Sequence, residues 1–254
     1  MNPMLSLEGR VVIVTGASRG IGAAVCRDAA ALGAAIVGVA RSADALADVL
    51  AGCPTPTRMV VGDVTDPDVP DRAVAAAREL GTLWGLVNNA GVGAPGYRPV
   101  TQTPTSEWES VMVVNLFAAV GFARSAGAAL VAGGGGGRIV NVSSIAAISG
   151  LPNIAPYNAT KAAMDAMSRT MAVELGPAGI CCNSVNPGTI ATELVDDLLA
   201  ANPPLRDKFV TKTALGRVGV TDEAAWPIVF LLTDAAAFIT GQTLVIDGGR
   251  MASA

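Results

Sequence analysis

The 254-residue sequence predicts an α/β protein built on one doubly wound parallel sheet with helices on both faces. Short apolar segments rich in β-branched residues alternate with longer, alanine-rich segments from one end of the chain to the other. The short segments are nearly all apolar rather than apolar at every second position, which is typical of strands covered on both faces. Regular alternation of strands and helices favours parallel pairing of the strands through helical crossovers.

The alternation of apolar and alanine-rich segments predicts the strands and helices in chain order. We expect them to form one domain spanning residues 1–254, with a substrate lid around residues 188–217. The lid region has no regular apolar pattern, and long connections in compact domains are often binding loops. The glycine run at residues 133–137 leads directly into a strand, so we interpret it as a link inside the domain. The predicted strands are Arg10–Thr15, Ala35–Ala40, Arg58–Gly62, Leu83–Val87, Arg138–Val142, Ile180–Val185 and Thr243–Ile246; the predicted helices are Gly22–Leu32, Pro67–Leu80, Ser106–Val131, Tyr157–Leu175 and Asp222–Leu232.

Composition excludes several classes of function. A net charge of −4 and an isoelectric point near 4.8 argue against a nucleic-acid partner. The chain has no histidine, and its four cysteines lack a C-x-x-C spacing, so neither a His-based catalytic triad nor a metal site is expected. The first residues do not resemble a signal peptide. Gly, Pro or charged residues interrupt every apolar run before it reaches the roughly 18–20 residues that a membrane span needs. We therefore expect a cytoplasmic protein with no membrane partner.

A glycine-rich turn follows the first predicted strand. The segment Thr15–Gly22 has the spacing G-x-x-x-G-x-G and leads into a helix. Glycines in such a turn let backbone amides approach a pyrophosphate, and the N-terminus of the helix favours the anion. An ordinary tight turn is the alternative interpretation. The strand before it and the helix after it favour a dinucleotide site formed by Gly16, Ser18, Arg19, Gly20, Ile21 and Gly22.

The end of the second predicted strand indicates which dinucleotide is preferred. Enzymes that use NAD place an acidic residue there to hold the ribose 2′-hydroxyl, whereas this chain has Arg41, with Arg19 already in the glycine turn. Two guanidinium groups suit a 2′-phosphate, so we expect NADP(H), with NAD(H) less favoured. Either arginine could instead be an ordinary surface charge. Asp63 and Val64, after the third strand, are candidate adenine contacts, although Asp63 could equally begin a turn with Thr65.

Tyr157 and Lys161 form the strongest candidate for a catalytic pair. The chain contains only two tyrosines and three lysines, so a Tyr-x-x-x-Lys spacing would arise by chance in roughly 2% of cases. On a helix this spacing places both side chains on one face. A neighbouring ammonium group stabilises phenolate and lowers the pKa of the tyrosine, which makes it useful as an acid or base. A surface tyrosine beside a solvated lysine is the alternative interpretation.

With these motifs, the sequence resembles the classical short-chain dehydrogenase/reductase family over essentially its whole length. Each motif is weak alone, and their joint order and spacing give the resemblance its weight. Ser144 lies 13 residues before Tyr157, the separation typical of the family, which selects it over Ser143. The matching segments are TGASRGIG (15–22), NNAG (88–91), VN (114–115), NVSS (141–144), YNATK (157–161), NPGTIAT (186–192) and ITGQTLVIDGG (239–249).

The resemblance implies a single Rossmann-like doubly wound sheet and a catalytic set made of Asn115, Ser144, Tyr157 and Lys161. Tyr157 would exchange a proton with the substrate oxygen, and Ser144 would orient that oxygen. Lys161 would hold the nicotinamide ribose and lower the pKa of Tyr157, assisted by the positive nicotinamide of NADP⁺. Asn115 would position a water chain that supplies protons through Lys161. The alternative interpretations are that Ser144 only caps the end of a strand and that Asn115 only forms hydrogen bonds to buried backbone groups of a helix. The implied cofactor contacts beyond the glycine turn are Asn89, Gly91, Tyr157, Lys161, Pro187, Gly188, Ile190 and Thr192.

The expected substrate is a small hydrophobic ketone or secondary alcohol. The basis is a set of apolar positions near the expected site, namely Ile145, Ala146, Ile148, Leu151, Leu194, Leu198 and Leu199. One alternative is a 3-oxoacyl-[acyl-carrier-protein] reductase, but Ala178 stands where those reductases commonly have a docking arginine. Another is a non-catalytic NADP(H)-binding sensor, although such relatives are expected to lose Tyr, Lys or Ser. The resemblance also implies a homodimer or homotetramer.

Overall fold

The computed structural model describes residues 2–193, 195 and 204–252, and it confirms the predicted doubly wound sheet. All seven strands of the sheet are parallel, in the order β3-β2-β1-β4-β5-β6-β7. Three predicted strands have the observed bounds, and the other four differ by one or two residues at an end. The strands are β1 Arg10–Thr15, β2 Ala35–Ala40, β3 Thr57–Val61, β4 Thr82–Asn88, β5 Gly137–Val142, β6 Ile180–Pro187 and β7 Thr243–Ile246.

The helices agree with the sequence pattern except at two places. The stretch predicted as one helix over Ser106–Val131 is interrupted by a π-helical segment at Val113–Phe117. Two short helices had no predicted bounds: α2 Ala43–Ala51, where Ser42 and Asp44 predict a helix start, and α7 Pro204–Thr211, which lies in the region expected to be a lid. The helices are α1 Gly20–Ala31, α2 Ala43–Ala51, α3 Val69–Leu80, α4 Thr105–Met112, α5 Ala118–Ala132, α6 Ala155–Leu175, α7 Pro204–Thr211 and α8 Thr221–Leu232.

Alternate residues of the central strand β1 pack into two separate cores. Val12 and Val14 belong to the apolar cluster that includes residues of α1 and α8. Val11 and Ile13 belong to the cluster on the opposite face, which includes residues of α3, α5 and α6. Both faces of the strand are therefore buried, which explains why its sequence is continuously apolar.

The strand order reverses between β1 and β4, and this position determines where a ligand can bind. The chain runs outward from β1 through β2 to β3, then returns to place β4 on the other side of β1. In such sheets the crossover helices diverge at the carboxyl ends of the two central strands and leave a crevice there. The glycine turn after β1 and the Asn88–Gly91 segment at the end of β4 both lie at this crevice.

One helical stretch, Thr105–Ala132, is long and apolar enough by length and composition to cross a membrane, with a mean hydropathy of 1.5. In the fold its inner face packs in the core: Phe122, Ala126 and Leu130 are buried in the cluster beside β4 and β5. A core helix passes the same test of composition, so the stretch is weak evidence for a membrane span.

Candidate active site

A cleft of about 370 Å³ at the carboxyl edge of the sheet brings together nearly all the residues predicted from sequence. Gly22 and Asn115 are the exceptions, because they lie behind the cleft surface, where each supports a lining segment. The predicted residues that line the cleft are Gly16, Ser18, Arg19, Gly20, Ile21, Arg41, Asp63, Val64, Asn89, Gly91, Ser144, Tyr157, Lys161, Pro187, Gly188, Ile190 and Thr192.

The glycine turn packs so closely that side chains are excluded from it. A Cβ atom on Gly22 would overlap the carbonyl oxygen of Gly16, and one on Gly16 would lie 2.9 Å from Nδ2 of Asn89. That amide donates hydrogen bonds to the backbone oxygens of Thr15 (2.9 Å) and Gly16 (3.2 Å). The Thr15 hydroxyl accepts from the backbone of Asn89 and Ala90, at 3.0 Å each. These bonds fix the turn against the end of β4.

This arrangement fits a dinucleotide pyrophosphate. The turn leads into the N-terminus of α1, a helix of 12 residues whose first backbone amides have no partner within the helix. Gly20 has a φ of +55°, a conformation that side-chain-bearing residues rarely adopt. The open backbone and the positive end of the helix dipole therefore provide donors for an anion in the cleft.

The two arginines expected to hold a 2′-phosphate each face a carboxylate. Arg41 lies 3.8 Å from Asp63, and its side chain is 73% exposed. Arg19 lies 2.8 Å from Glu193. Asp63 also accepts hydrogen bonds from the amide and hydroxyl of Thr65, and those bonds are the main reason that its pKa is lowered. Asp63 thus begins a turn, as the alternative interpretation proposed, while still lining the cleft.

Ser144 and Tyr157 both line the cleft, and the Ser144 hydroxyl acts on the phenol of Tyr157 in the direction that lowers its pKa. Ser144 precedes a single 3₁₀ turn, Ile145–Ala147, and its hydroxyl accepts a hydrogen bond of 3.1 Å from the amide of Ala146. That bond holds the hydroxyl at the end of β5. Tyr157 lies in the first turn of α6. The preceding residue, Pro156, has no backbone N–H group and therefore leaves no unpaired donor at the start of the helix.

The structure shows how burial acts on the pKa of Tyr157, whereas the expectation that Lys161, assisted by a positive nicotinamide, lowers this pKa stays a prediction. Burial raises the pKa of Tyr157 above its ordinary value, and the hydrogen bond from Ser144 offsets only part of that increase. The Nζ atom of Lys161 lies 5.6 Å from the centre of the tyrosine ring. Desolvation therefore outweighs the charges that surround the phenol.

Lys161 is a buried cation. Its side chain is 4% exposed, and its Nζ atom donates a hydrogen bond of 2.8 Å to the backbone oxygen of Val142. Burial lowers the pKa of Lys161 to about 8, although the nearby Asp165 acts in the opposite direction. Small changes in its surroundings can therefore change its charge near neutral pH.

Asn115 lies in the π-helical segment between α4 and α5 and is fully buried. Its side chain accepts from the amide of Val92 (2.8 Å) and donates to the carbonyl oxygen of Val92 (2.9 Å). It thereby fixes the loop after β4 that lines the cleft beside Gly91. A single π turn in a longer helix is frequently found at functional sites.

A row of buried polar side chains fixes α6 against the sheet. Asn88 donates to Asn141 on the adjacent strand at 2.9 Å, and Asn141 donates to the hydroxyl of Ser168 on α6 at 2.7 Å. Ser168 is also bonded to Ser184 on β6 at 2.8 Å. Because buried hydrogen bonds demand one arrangement of their partners, this row sets the position of the helix that holds Tyr157 and Lys161.

The apolar positions expected near the substrate are placed differently from the prediction. Ile145 and Ala146 are buried, Ile148 is half-exposed, and neither these residues nor Leu151 line the cleft. Leu194, Leu198 and Leu199 lie outside the described residues. The apolar residues that do line the cleft include Val92, Val114, Val142 and Val195.

Two residues that sequence reasoning missed are Glu193 and Asp165. Glu193 immediately follows the predicted contact Thr192, and Asp165 is one helical turn after Lys161, so proximity in sequence was the available signal. Both are acidic residues beside predicted cationic ones. Within residues 2–193, 195 and 204–252, no group of three His, Cys, Asp or Glu side chains could hold a metal, and the four cysteines are free thiols.

Residues 16–250 match a family model described as enoyl-(acyl carrier protein) reductase. The chain is 40% identical to L-rhamnose 1-dehydrogenase (NAD(P)(+)) of Sphingomonas sp. strain SKA58, over 97% of this chain and 98% of that protein. It is 39% identical to cis-4-hydroxycyclohexanecarboxylate dehydrogenase of Sinomonas cyclohexanicum, over 96% and 97%. A solved structure from Beutenbergia cavernae, assigned as an NAD(P)-dependent gluconate 5-dehydrogenase with NADP bound, superimposes with a TM-score of 0.90, at 33% identity over 98% of this chain and 99% of that one.

The fold, the cleft and these similarities define an oxidoreductase that binds a nicotinamide dinucleotide. More particularly, the chain belongs to the short-chain dehydrogenase/reductase family, in its classical form.

Proposed function

We propose that the protein interconverts a small secondary alcohol and its ketone with NADP(H) as the preferred cofactor. The observation that supports this function best is the placement of Ser144, Tyr157 and Lys161 together at the inner end of a cleft whose other end is the glycine turn. A binding protein without catalysis has no need for a phenol, a hydroxyl and a buried ammonium group at one point.

The proposed roles follow from what each side chain can donate. Ser144 donates a hydrogen bond to the substrate oxygen and orients it, while the Tyr157 hydroxyl gives that oxygen a proton in reduction or removes one in oxidation. Lys161 binds the ribose hydroxyls of the cofactor. Because Lys161 is buried and Ser144 and Tyr157 are partly buried, these groups act on the developing charge in a medium less polar than water. The bound nicotinamide supplies or accepts the hydride at the substrate carbon.

NADP(H) is preferred over NAD(H) because the adenosine end of the cleft is lined by Arg41 and Arg19. No acidic residue follows β2 directly, in the position where a carboxylate would hold a 2′-hydroxyl and repel a phosphate. Asp63 and Glu193 partly neutralise the positive charge of the two arginines, so the expected preference for NADP(H) over NAD(H) is moderate.

The inner end of the cleft favours a substrate with an apolar flank beside the reacting carbon. Val92, Val114, Val142 and Val195 line the same cleft as Ser144, and none of these four side chains can donate or accept a hydrogen bond. The similarity to a hydroxycyclohexanecarboxylate dehydrogenase supports a cyclic or branched secondary alcohol. A hydrophobic ketone or alcohol is therefore the first candidate substrate class.

A sugar or polyol is the second candidate. The similarity to L-rhamnose 1-dehydrogenase at 40% identity, over nearly the full length of both chains, is the observation that favours it. Turnover of 3-oxoacyl thioesters would instead identify an acyl-carrier reductase.

We further propose that residues 1–254 form one dinucleotide-binding and catalytic domain, with residues 188–217 as the substrate lid. A homodimer or homotetramer in the cytoplasm is part of the same proposal, and size-exclusion chromatography with light scattering tests the assembly.

The test is turnover of NADPH and NADH with three panels: cyclic ketones, sugars with their lactones and polyols, and 3-oxoacyl thioesters. We expect Tyr157→Phe to lose about 10²–10⁴-fold in kcat while still binding NADPH. Tyr97→Phe is the matched control, because Tyr97 is the other tyrosine of the chain and does not line the cleft. Equal loss in both variants, or full activity of Tyr157→Phe, would contradict the proposed role.

The cofactor preference is tested with Arg41→Ala. We expect its affinity for NADPH to fall about tenfold and its affinity for NADH to stay unchanged, because one charge-assisted contact to the 2′-phosphate is lost. Arg58→Ala is the control, since Arg58 is an exposed arginine on the neighbouring strand β3 that pairs with Glu79. An equal loss of affinity for both cofactors would show that Arg41 does not select the phosphate.

A further inference from the structure

Asp165 is a buried carboxylate on the helix that holds the proposed catalytic pair. It lies four residues after Lys161 on α6 and is only 4% exposed. Residues four apart on a helix lie one above the other on the same face. An acidic side chain is almost never buried so completely unless something in its surroundings requires its charge.

Only one of the two carboxylate oxygens of Asp165 accepts a hydrogen bond from the described residues. Its Oδ2 atom accepts a hydrogen bond of 2.9 Å from the side-chain amide of Asn186. Its Oδ1 atom is buried and has no hydrogen-bond donor among the described residues. If packing were the only role of this side chain, an uncharged one would avoid the cost of burying an unsatisfied anion.

Asn186 connects Asp165 to the floor of the cofactor cleft. It is fully buried on β6, and the two residues that follow it, Pro187 and Gly188, line the cleft. Gly188 packs against the backbone of Asp247, where a Cβ atom would lie 2.8 Å from the Cα atom of Asp247. The bond from Asn186 to Asp165 therefore joins this closely packed strand end to α6.

Among the described residues around Lys161, Asp165 is the acidic group whose charge favours the protonated lysine. From its own helix the lysine faces the Tyr157 ring and Met164, and from β5 it meets the backbone of Val142. The loop after β4 and the π segment contribute Gly91 and Asn115, which do not titrate. On the other packed elements, Glu107 of α4 pairs with Arg98 at 3.0 Å, and the Asp247 carboxylate accepts bonds from the amides of Gly249 and Met251.

We propose that Asp165 is a positioning residue that keeps Lys161 protonated, while Asn186, at the strand end that forms the floor of the cofactor cleft, holds the Asp165 carboxylate in place. The proposal rests on the proposed function, in which the charged form of Lys161 binds the cofactor ribose. It adds a residue that touches neither the cofactor nor the substrate. Burial alone lowers the pKa of Lys161, and Asp165 is the group that raises it, which agrees with this role.

The direct test is a pH titration of the lysine side chains in the cofactor-free protein by ¹³Cε NMR. The chain has three lysines, so a spectrum of Lys161→Met assigns the Lys161 signal, and the other two signals serve as internal controls. We expect Asp165→Asn to lower the pKa of Lys161 by about one unit and Asp165→Glu to restore most of that change. At about pH 8 this lowers the charged fraction of Lys161, and with it the affinity for NADPH, about fivefold. An unchanged Lys161 titration in Asp165→Asn would overturn the proposal.

A second measurement covers the case in which Asp165→Asn alone does not fold. The Lys161→Met and Lys161→Met/Asp165→Asn proteins are compared for NADPH affinity and for circular dichroism. If Asp165 acts through Lys161, its substitution changes the affinity less than about twofold once the lysine is gone. A much weaker affinity or an unfolded double variant would show that the role of Asp165 is structural, which would overturn the proposal. Because neither measurement needs turnover, failure of the wild-type protein to reduce any substrate would contradict only the proposed function.

Discussion

Arg19 and Glu193 form an ion pair of 2.8 Å across the mouth of the cofactor cleft. Arg19 is in the glycine turn, and Glu193 follows Thr192, whose methyl group lies beside Gly20. The pair thus joins the pyrophosphate-binding turn to the beginning of the proposed lid. Since both side chains are 60% exposed, the pair contributes little to stability, and its main effect is on the charge offered to a bound anion.

We expect Glu193→Gln to bind NADPH about two- to fivefold more tightly at low salt, with NADH affinity unchanged. Removing the carboxylate leaves the full charge of Arg19 for the 2′-phosphate. Fluorescence titration with each cofactor measures the effect. Glu79→Gln, which removes a similarly exposed partner of Arg58, is the control. Weaker binding of both cofactors would show instead that Glu193 serves to close the cleft.

Gly22→Ala is expected to abolish NADPH binding, because the new methyl group would overlap the carbonyl oxygen of Gly16 and displace the glycine turn. Gly121→Ala is the matched control: it lies inside α5, and its added Cβ atom would lie 3.6 Å from a side-chain atom of Pro70. We expect the control to gain about 0.5–1 kcal/mol in the free energy of unfolding, since alanine favours a helix. Normal cofactor affinity in Gly22→Ala would mean that the turn does not bind the pyrophosphate.

The affinity for NADPH should depend on pH through Lys161. Because burial lowers the pKa of this lysine to about 8, the side chain is charged below that pH and loses its proton as the pH rises through it. The dissociation constant for NADPH should therefore increase between about pH 7 and 9 in the wild type and stay level in Lys161→Met. Identical pH profiles for the two proteins would remove Lys161 from the cofactor site.

Asp234→Asn should destabilise the protein without changing its kcat. Asp234 accepts a hydrogen bond of 2.6 Å from Arg10 and lies 3.6 Å from Arg138, whose side chain is 5% exposed. Both guanidinium groups stack on Trp84, at the amino-terminal end of the strands, opposite the cleft. Because Asp234 is itself partly exposed, we expect a loss of about 1–2 kcal/mol in the free energy of unfolding, measured with urea. Asp68→Asn, which removes an exposed partner of Arg72, should change it by less than about 0.5 kcal/mol, and an equal loss in both would contradict the role of the cluster.

Much of the fold could be predicted because buried parallel strands leave a strong local pattern. Residues 11–14 and Ala35–Ala40 are continuously apolar, and the observed bounds of the strands that contain them, Arg10–Thr15 and Ala35–Ala40, are those predicted. The π segment at Val113–Phe117 could not be predicted, because it depends on how Asn115 bonds to the loop at Val92. A helix start at Ser42 and Asp44 could be predicted, but Ser42 makes no side-chain cap in the structure, because that bond depends on the local backbone geometry.

The sequence by itself determined the glycine turn, the Tyr157–Lys161 spacing and the arginines at the end of the cleft, because these features depend on residues close together in the chain. Tertiary structure alone decided what surrounds them. Glu193 meets Arg19 across 174 residues, and Asn186 meets Asp165 on another element. Burial, rather than the neighbouring lysine, sets the direction of the pKa shift of Tyr157. Desolvation and charge pairing depend on every element that packs around a group, so they become defined only when the chain is folded.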